Sequence, residues 1–78
     1  MIRLFSILRE LTGARCIEMA LDRPEPVASV LDRLAAEHPA IQPYRNTIRV
    51  AVNMEYVGES HTVFNGDELA VITPVSGG

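Results

Sequence analysis

The sequence predicts an α+β fold in which a mixed sheet of about five strands packs on one main helix. Three observations predict it: one stretch has apolar residues at helical spacing, several short stretches are apolar or alternate, and turn-forming residues separate them. Seventy-eight residues, 47% of them hydrophobic, are expected to form one domain. We divide it into a folded body, residues 1–73, and a flexible C-terminal tail, residues 74–78.

Two strands are predicted ahead of the helix. Residues 2–8 carry apolar side chains at both parities, as in a strand covered on both faces. Residues 9–15 contain Thr12-Gly13 and are expected to form a turn or a short helical link. Residues 16–21 alternate between apolar and other side chains, which predicts the second strand.

The main helix is predicted from Val27, Val30, Leu31 and Leu34, which follow the i, i+3, i+4, i+7 pattern of an amphipathic helix. Pro26 suits the first helical position, because its missing N–H would have no partner there. The helix is expected to end near residue 37 or 38, ahead of a proline.

Three further strands are predicted after a loop over residues 40–46. Residues 47–52 alternate, and a turn at Asn53-Met54 leads into a short strand over residues 55–57. Residues 58–64 are expected to be irregular. A turn at 65–67 then begins a last strand that is apolar on both faces, so the first and last strands are natural parallel neighbours in the centre. One helix covers only one face, and the exposed apolar surface left on the other is typical of a partner site.

Composition argues against several function classes. The net charge is −3, and the seven basic residues are all dispersed arginines, which does not favour a nucleic-acid surface. One cysteine and two separated histidines offer neither a disulfide nor a metal site. No apolar run approaches the ~20 residues of a membrane span, and we expect a cytoplasmic protein. Without lysine, the chain offers no side-chain amine to an activated carboxyl terminus.

The candidate functional segment is Pro74-Val75-Ser76-Gly77-Gly78, which follows the last strand directly. Glycine has no Cβ, so such a tail fits a channel too narrow for side chains. Four extended residues reach roughly 13 Å, enough to enter the active site of a second protein. The Gly78 carboxylate is a poor electrophile and would need a leaving group such as AMP before it could react. A mobile terminus with incidental glycines remains the alternative at this point.

The predicted order of strands and helix is that of the ubiquitin-like β-grasp fold. The segments Arg9-Glu10-Leu11-Thr12-Gly13, Ala51-Val52-Asn53, Asn65-Gly66-Asp67-Glu68 and Pro74-Val75-Ser76-Gly77-Gly78 carry a more specific resemblance. In them the chain resembles the small subunits of molybdopterin synthase, the sulfur carriers of molybdenum-cofactor biosynthesis. It departs at Thr73, where many members have a second proline, and at Glu25, where a Ser or Thr helix cap is usual.

The resemblance implies a role for each tail residue. An adenylyltransferase related to ubiquitin-activating proteins would use ATP to adenylate Gly78, and a sulfur donor protein would convert the adenylate to a thiocarboxylate. The thiocarboxylate would give its sulfur to cyclic pyranopterin monophosphate on the synthase large subunit. Pro74, Val75, Ser76 and Gly77 would bind that partner. The chain itself would bind no cofactor and no metal, and its catalytic partner groups would belong to the large subunit in a heterotetramer.

Two other readings stay open. The same carrier chemistry could serve thiazole or cysteine biosynthesis or protein modification, although thiazole carriers tend to lack the Arg-Glu-Leu-Thr-Gly segment. A non-catalytic β-grasp interaction module is the third reading. Adding one residue to the C-terminus separates the module from the carriers, since only a carrier needs a free terminal glycine.

Overall fold

Among the described residues the main sheet has five strands, and the last strand of the chain lies in its middle. The computed structural model describes residues 1–74. Its elements, in chain order, are β1 (Ile2–Leu4), α1 (Ser6–Thr12), β2 (Cys16–Ile17), β3 (Glu25–Pro26), α2 (Val27–Glu37), a 3-10 segment (Pro39–Thr47), β4 (Arg49–Val52), β5 (Glu55–Val57), β6 (Thr62–Val63) and β7 (Leu69–Ile72). The order in the sheet is β2-β1-β7-β4-β5, which is the mixed topology expected of a β-grasp fold.

The pairing of the two strands that are farthest apart in sequence confirms the prediction for the sheet centre. β1 runs parallel to β7, with Ile2 opposite Leu69 and Leu4 opposite Val71. On its other side β7 pairs with β4 in the antiparallel direction. β4 and β5 form the predicted hairpin, and Asn53 and Met54 at its turn both have positive φ, +49° and +72°.

The prediction for residues 5–8 was wrong, because the first strand ends at Leu4 and a second helix begins at Ser6. Leu8 is fully buried on this helix, with Ile7 packed against the core. Gly13 ends the helix in the left-handed conformation at φ +71°, and its N–H donates to the Arg9 carbonyl oxygen at 2.9 Å. Glycine adopts this conformation without a Cβ clash, so Thr12-Gly13 marks a helix end.

Three other predicted boundaries need correction. The second strand was expected over residues 16–21 but comprises only Cys16–Ile17. Residues 58–64 are not wholly irregular, since β6 pairs with β3 in a separate two-stranded sheet. Pro26 precedes the first helical residue, with an extended ψ of 153°, instead of occupying that position.

The amino end of α2 is capped by backbone groups from a distant loop. Pro26 offers no side-chain cap, but the N–H groups of Val27 and Ala28 donate to the carbonyl oxygens of His61 and Glu59, both at 2.9 Å. These bonds satisfy two of the N–H groups that a helix leaves without intrahelical partners. Glu25, where a hydroxyl cap is usual, instead pairs with Arg33 at 2.6 Å.

One hydrophobic core lies between the sheet and the helices. α2 buries Val27, Val30, Leu31, Leu34 and Ala35, as its spacing predicted, and the sheet contributes the inward-facing residues of β1, β4 and β7. Complete burial of an aliphatic side chain contributes about 1.5–3 kcal/mol. One face of β7 packs against this core, which helps to fix the position of the strand in the sheet.

The opposite face of the sheet, which we call the outer face, is not covered by either helix. The alternation of side chains along the strands places these residues on it: Arg3, Cys16, Arg49, Ala51, Tyr56, Ala70 and Ile72. Tyr56 is 70% exposed, whereas Ala51 is buried under the side chains that surround it. The outer face therefore has a small apolar centre and carries two arginines, Arg3 and Arg49.

Candidate functional site

The candidate site begins at the end of β7, where the chain leaves the sheet. Ile72 is the last residue of the strand, Thr73 is half-buried and Pro74 is exposed. Because β7 is hydrogen-bonded on both sides, it fixes the position and direction in which the chain leaves the domain. The predicted site residues Val75, Ser76, Gly77 and Gly78 lie outside the described residues. Of the predicted site, the structure therefore places Pro74 alone.

Pro74 stands at the edge of a hollow between α2 and the β4–β5 hairpin. The hollow has a volume of about 430 Å³. Val27 and Leu31 of α2 line one wall, and Val50 and Val57 line another. Proline has a fixed φ and no N–H to donate, so Pro74 does not extend the ladder of β7, which ends at Ile72.

Arg49 and Tyr56 lie on the outer face near the end of β7, where the chain leaves the sheet. Arg49 lies opposite Ile72 in the β4–β7 ladder, and together with Tyr56, Ile72 and Pro74 it lines a second, shallower hollow of about 560 Å³. Within residues 1–74 no carboxylate lies within ion-pair distance of the exposed Arg49. The exit of the tail thus combines apolar contact surface with a positive charge that is available to a partner.

A network centred on Arg45 holds the far wall of the first hollow. The Arg45 guanidinium donates to both carboxylate oxygens of Glu59, to Asp32 and to the Ala28 carbonyl oxygen. Hydrogen bonds to Glu59 raise the pKa of Arg45 and lower the pKa of Glu59, because each charge stabilises the other. The network joins the 3-10 segment, α2 and the loop that caps α2, and so fixes Gly58 and Glu59 beside the hollow.

A second polar network organises the opposite end of β7. Asn53 Oδ1 accepts the Glu68 N–H at 3.0 Å, and Asn53 Nδ2 donates to Asp67 Oδ1 at 3.1 Å. The other oxygen of Asp67 accepts the Phe64 N–H at 2.9 Å, which lowers the pKa of Asp67, with Asn53 adding to the effect. These bonds explain why the predicted Asn65-Gly66-Asp67 turn sits next to the β4–β5 turn.

Sequence reasoning named the tail but did not single out Arg45, Arg49 or Tyr56. The alternation of residues 47–52 did place Arg49 on the face opposite Ile48, Val50 and Val52, which was the available signal. The partners of Arg45 come from α2 and from the loop that caps it, so no local spacing along the chain indicates them.

In the part of the chain that the structure describes, no three His, Cys, Asp or Glu side chains are grouped so as to hold a metal ion. None of the helices found between residues 1 and 74 has the length and apolarity needed to cross a membrane.

The fold defines a class: a ubiquitin-like β-grasp domain in which the central strand β7 is the last element, with Gly77-Gly78 following it in the sequence. The chain belongs to the ThiS family, whose sequence model matches residues 2–78.

Several relatives match nearly the whole chain, and two of them represent different kinds of protein. The molybdopterin synthase sulfur carrier subunit of Arabidopsis thaliana is 36% identical over 75 residues, which cover 96% of this chain and 78% of that protein. Small archaeal modifier protein 1 of Haloferax volcanii is 33% identical over 84 residues, covering 97% of each. A crystal structure of SAMP1 from Haloferax volcanii superimposes with a TM-score of 0.84 over 99% of this chain and 96% of that one, at 33% identity. The predicted fold and family are confirmed.

Proposed function

We propose that this chain is the sulfur-carrier subunit of a molybdopterin synthase. The observation that carries the proposal is the near full-length similarity to sulfur carrier subunits of that enzyme from Arabidopsis thaliana, Homo sapiens and Escherichia coli, at 34–36% identity. The position of β7 supports it, because this central strand ends at Ile72, two residues ahead of the exposed Pro74, where the chain leaves the sheet. The tail, residues 74–78, carries the reactive carboxyl group to the partner, and the folded domain, residues 1–73, is the scaffold that presents it.

The chemistry takes place at the Gly78 carboxyl group. An adenylyltransferase related to ubiquitin-activating proteins joins this carboxylate to AMP, with pyrophosphate released from ATP. A persulfide sulfur from a donor protein then attacks the acyl carbon, and the C–O bond to AMP breaks as the C–S bond forms. Reductive cleavage of the S–S bond by a thiol leaves the thiocarboxylate. Glycine at positions 77 and 78 leaves the acyl carbon open to attack, because no side chain shields it.

The large subunit of the synthase is the proposed docking partner. Pro74, Val75, Ser76 and Gly77 pass into its active site, where the thiocarboxylate gives sulfur to cyclic pyranopterin monophosphate. The outer face supplies the adjoining contact surface, since Tyr56 is largely exposed and Arg49 lies beside Ile72 where the tail leaves. Exposed apolar surface with an adjacent charge is typical of a protein–protein contact.

Two carriers deliver the two sulfurs of the dithiolene, which accounts for the proposed heterotetramer of two large and two small subunits. The carrier works in the cytoplasm, and the groups that act on the pterin belong to the large subunit. ATP is consumed by the activating partner, and the chain itself holds no cofactor.

Protein modification is the second candidate function. Its support is the similarity to small archaeal modifier protein 1 of Haloferax volcanii, which spans 97% of both chains. The activation of Gly78 is the same in both cases, and only the acceptor of the acyl group differs. A lysine amine takes the place of the sulfur nucleophile and yields an amide bond.

Intact-protein mass spectrometry tests the proposal. The chain is incubated with ATP, the adenylyltransferase and a sulfur donor, and replacement of one oxygen by sulfur is expected to add roughly 16 Da. The control is the same chain with one alanine added after Gly78, which should stay at its original mass. The sulfur-loaded chain is then mixed with the large subunit and cyclic pyranopterin monophosphate. Loss of the added mass without formation of a dithiolene would rule out the synthase and leave another acceptor.

A further inference from the structure

We propose that this chain is a one-way acyl donor: its activated C-terminus is passed to other molecules, and copies of the chain do not accept it as an amide. The inference rests on the proposed activation of Gly78 and goes beyond it, because it concerns which nucleophiles the carrier excludes. Its consequences are that a charged carrier is not consumed by its neighbours and that any protein modified by it receives single copies and not chains.

The first observation is that arginine replaces lysine even where the structure gives no reason for it. Arg3, Arg33 and Arg45 donate to carboxylates, and such pairs exploit the planar guanidinium. The remaining arginines are exposed and have no ion pair within residues 1–74: Arg9, Arg15, Arg23 and Arg49. Arg49 lies on the proposed docking surface, but at Arg9, Arg15 and Arg23 a lysine would serve equally well for solubility. Arginine differs in one relevant respect, since it stays protonated and is not a nucleophile, whereas a lysine amine is.

The second observation is the position of the amine that remains, the α-ammonium of Met1. It donates to the Asp67 carbonyl oxygen at 3.1 Å, and the Met1 carbonyl oxygen accepts the Leu69 N–H at 2.9 Å. These two bonds continue the β1–β7 ladder and hold the group half-buried at the end of β7 opposite to Pro74. Seven residue steps of nearly extended chain lead from Asp67 to Pro74, roughly 23 Å at about 3.3 Å each.

The tail of the same molecule does not span that distance. The four residues Val75 to Gly78 would reach roughly 13 Å beyond Pro74 if fully extended. Met1 is therefore out of reach of its own C-terminus. The tail of a second copy would have to reach the end of the two central strands, β1 and β7, and displace the hydrogen bond to Asp67.

The Cys16 thiol is exposed on the outer face, and its thiolate is a stronger nucleophile toward an activated acyl group than a side-chain hydroxyl. Attack by this thiol would give a thioester, which a small thiol or a persulfide reverses by exchange. An amide at an amine is not reversed in this way. The chain therefore keeps a side chain from which the acyl group is recoverable and lacks the one on which it would be trapped.

The reaction that tests the proposal is aminolysis of an activated C-terminus. The full chain is prepared with Gly78 as a thioester of a small thiol. In this reaction an amine nitrogen attacks the acyl carbon, the C–N bond forms, the C–S bond breaks with its electron pair leaving on the thiolate, and the amine proton passes to the buffer. No oxidant, reductant, ATP or partner protein takes part.

The parent chain is compared with Arg23→Lys, which keeps the charge and introduces one amine at an exposed position. Both are incubated concentrated and alone, in mildly alkaline buffer with excess small thiol to return any Cys16 thioester. A second sample of each receives a free lysine derivative, which shows that the tail is reactive. We expect the parent to hydrolyse to the free acid and R23K to form at least tenfold more amide-linked dimer, with the link mapped to position 23 by peptide mass spectrometry.

Equal yields in the two proteins overturn the proposal, whether both form dimers or neither does, because the absence of lysine would then make no difference. A parent dimer linked through Met1 overturns it as well. The result does not depend on sulfur loading, so it can fail while the sulfur-carrier function stands, and the reverse also holds.

Discussion

Arg45 and Glu59 are joined by two parallel hydrogen bonds, from Nη1 to Oε2 at 3.1 Å and from Nη2 to Oε1 at 3.0 Å. The guanidinium is largely buried, with 13% of its side chain exposed, whereas half of the Glu59 side chain faces solvent. The pair ties the loop that caps α2 to the segment that follows α2. It adds a side-chain link to the backbone hydrogen bonds from Val27 and Ala28 that already join α2 to the capping loop beside the hollow.

Arg45→Lys is expected to destabilise the domain by about 1 kcal/mol. Lysine keeps the charge but loses the paired geometry and the additional bonds to Asp32 and the Ala28 carbonyl oxygen. Urea denaturation measures the free energy of unfolding. The matched control is Arg23→Lys, at an exposed position, which should change it by less than about 0.5 kcal/mol. Similar values for the two variants would show that the network contributes nothing specific.

Arg49→Glu is expected to weaken binding to the synthase large subunit by about tenfold, or roughly 1.4 kcal/mol, because it reverses the charge beside the exit of the tail. Titration calorimetry at two salt concentrations measures the effect, which should shrink as salt screens the charge. Arg23→Glu makes the same change of charge on the segment ahead of β3, away from the outer face. If that variant loses as much affinity, net charge and not the outer face determines the binding.

Asp67 is expected to contribute a part of the free energy of unfolding that is lost in acid. The Phe64 N–H and the Asn53 amide hold the pKa of this carboxyl below its ordinary value of 3.8. A group whose pKa is lower in the folded state stabilises the fold above its unfolded pKa, and this contribution is lost as pH falls through the folded pKa. The parent should therefore lose stability below about pH 4.

Asp67→Asn lacks the titrating group, so the difference in unfolding free energy between parent and variant should narrow as the pH is lowered from neutral toward about 3. Denaturant titrations at a series of pH values give this difference. Glu68→Gln, whose carboxylate pairs with Arg3 on the exposed surface, serves as the neighbouring control. A difference that stays constant with pH would mean that Asp67 does not contribute through its charge.

Gly66→Ala separates backbone strain from steric crowding. Gly66 has φ +95°, and a Cβ built there meets nothing within 4 Å, so any cost comes from the conformation alone. We expect about 1–2 kcal/mol of destabilisation by thermal or urea unfolding. Gly58→Ala is the control, since it also has open space but no positive φ, and it should be neutral or slightly stabilising. Equal effects would remove strain as the explanation.

The elements that the sequence predicted correctly are those whose signal is local. Val27, Val30, Leu31 and Leu34 repeat at helical spacing, and β7 carries apolar side chains on both parities because it is central. Residues 5–8 were wrongly predicted as strand because a short apolar run at the end of a strand fits both the strand period and the helix period. Ile7, Leu8 and Leu11 are also spaced for a helix, and Gly13 marks its end.

The candidate site was predictable only in part, for a similar reason. Pro74 and the glycines that follow are a contiguous motif that can be read directly. Arg45 meets Asp32 and Glu59 only through folding, and the N–H groups of Val27 and Ala28 find carbonyl oxygens more than thirty residues away. No spacing along the chain encodes such contacts, so the hollow beside Pro74 had no signal in the sequence.

The placement of β7 between β1 and β4 also has a mechanical consequence. Tension applied to the C-terminal segment runs along the strand, nearly perpendicular to the hydrogen bonds on both of its sides, so the two ladders are loaded in shear and share the force. Stretching the domain between its first residue and its tail in an optical trap would measure the rupture force. We expect the tail to be drawn into a tight channel, or pulled out of one, without peeling away the strand that anchors it.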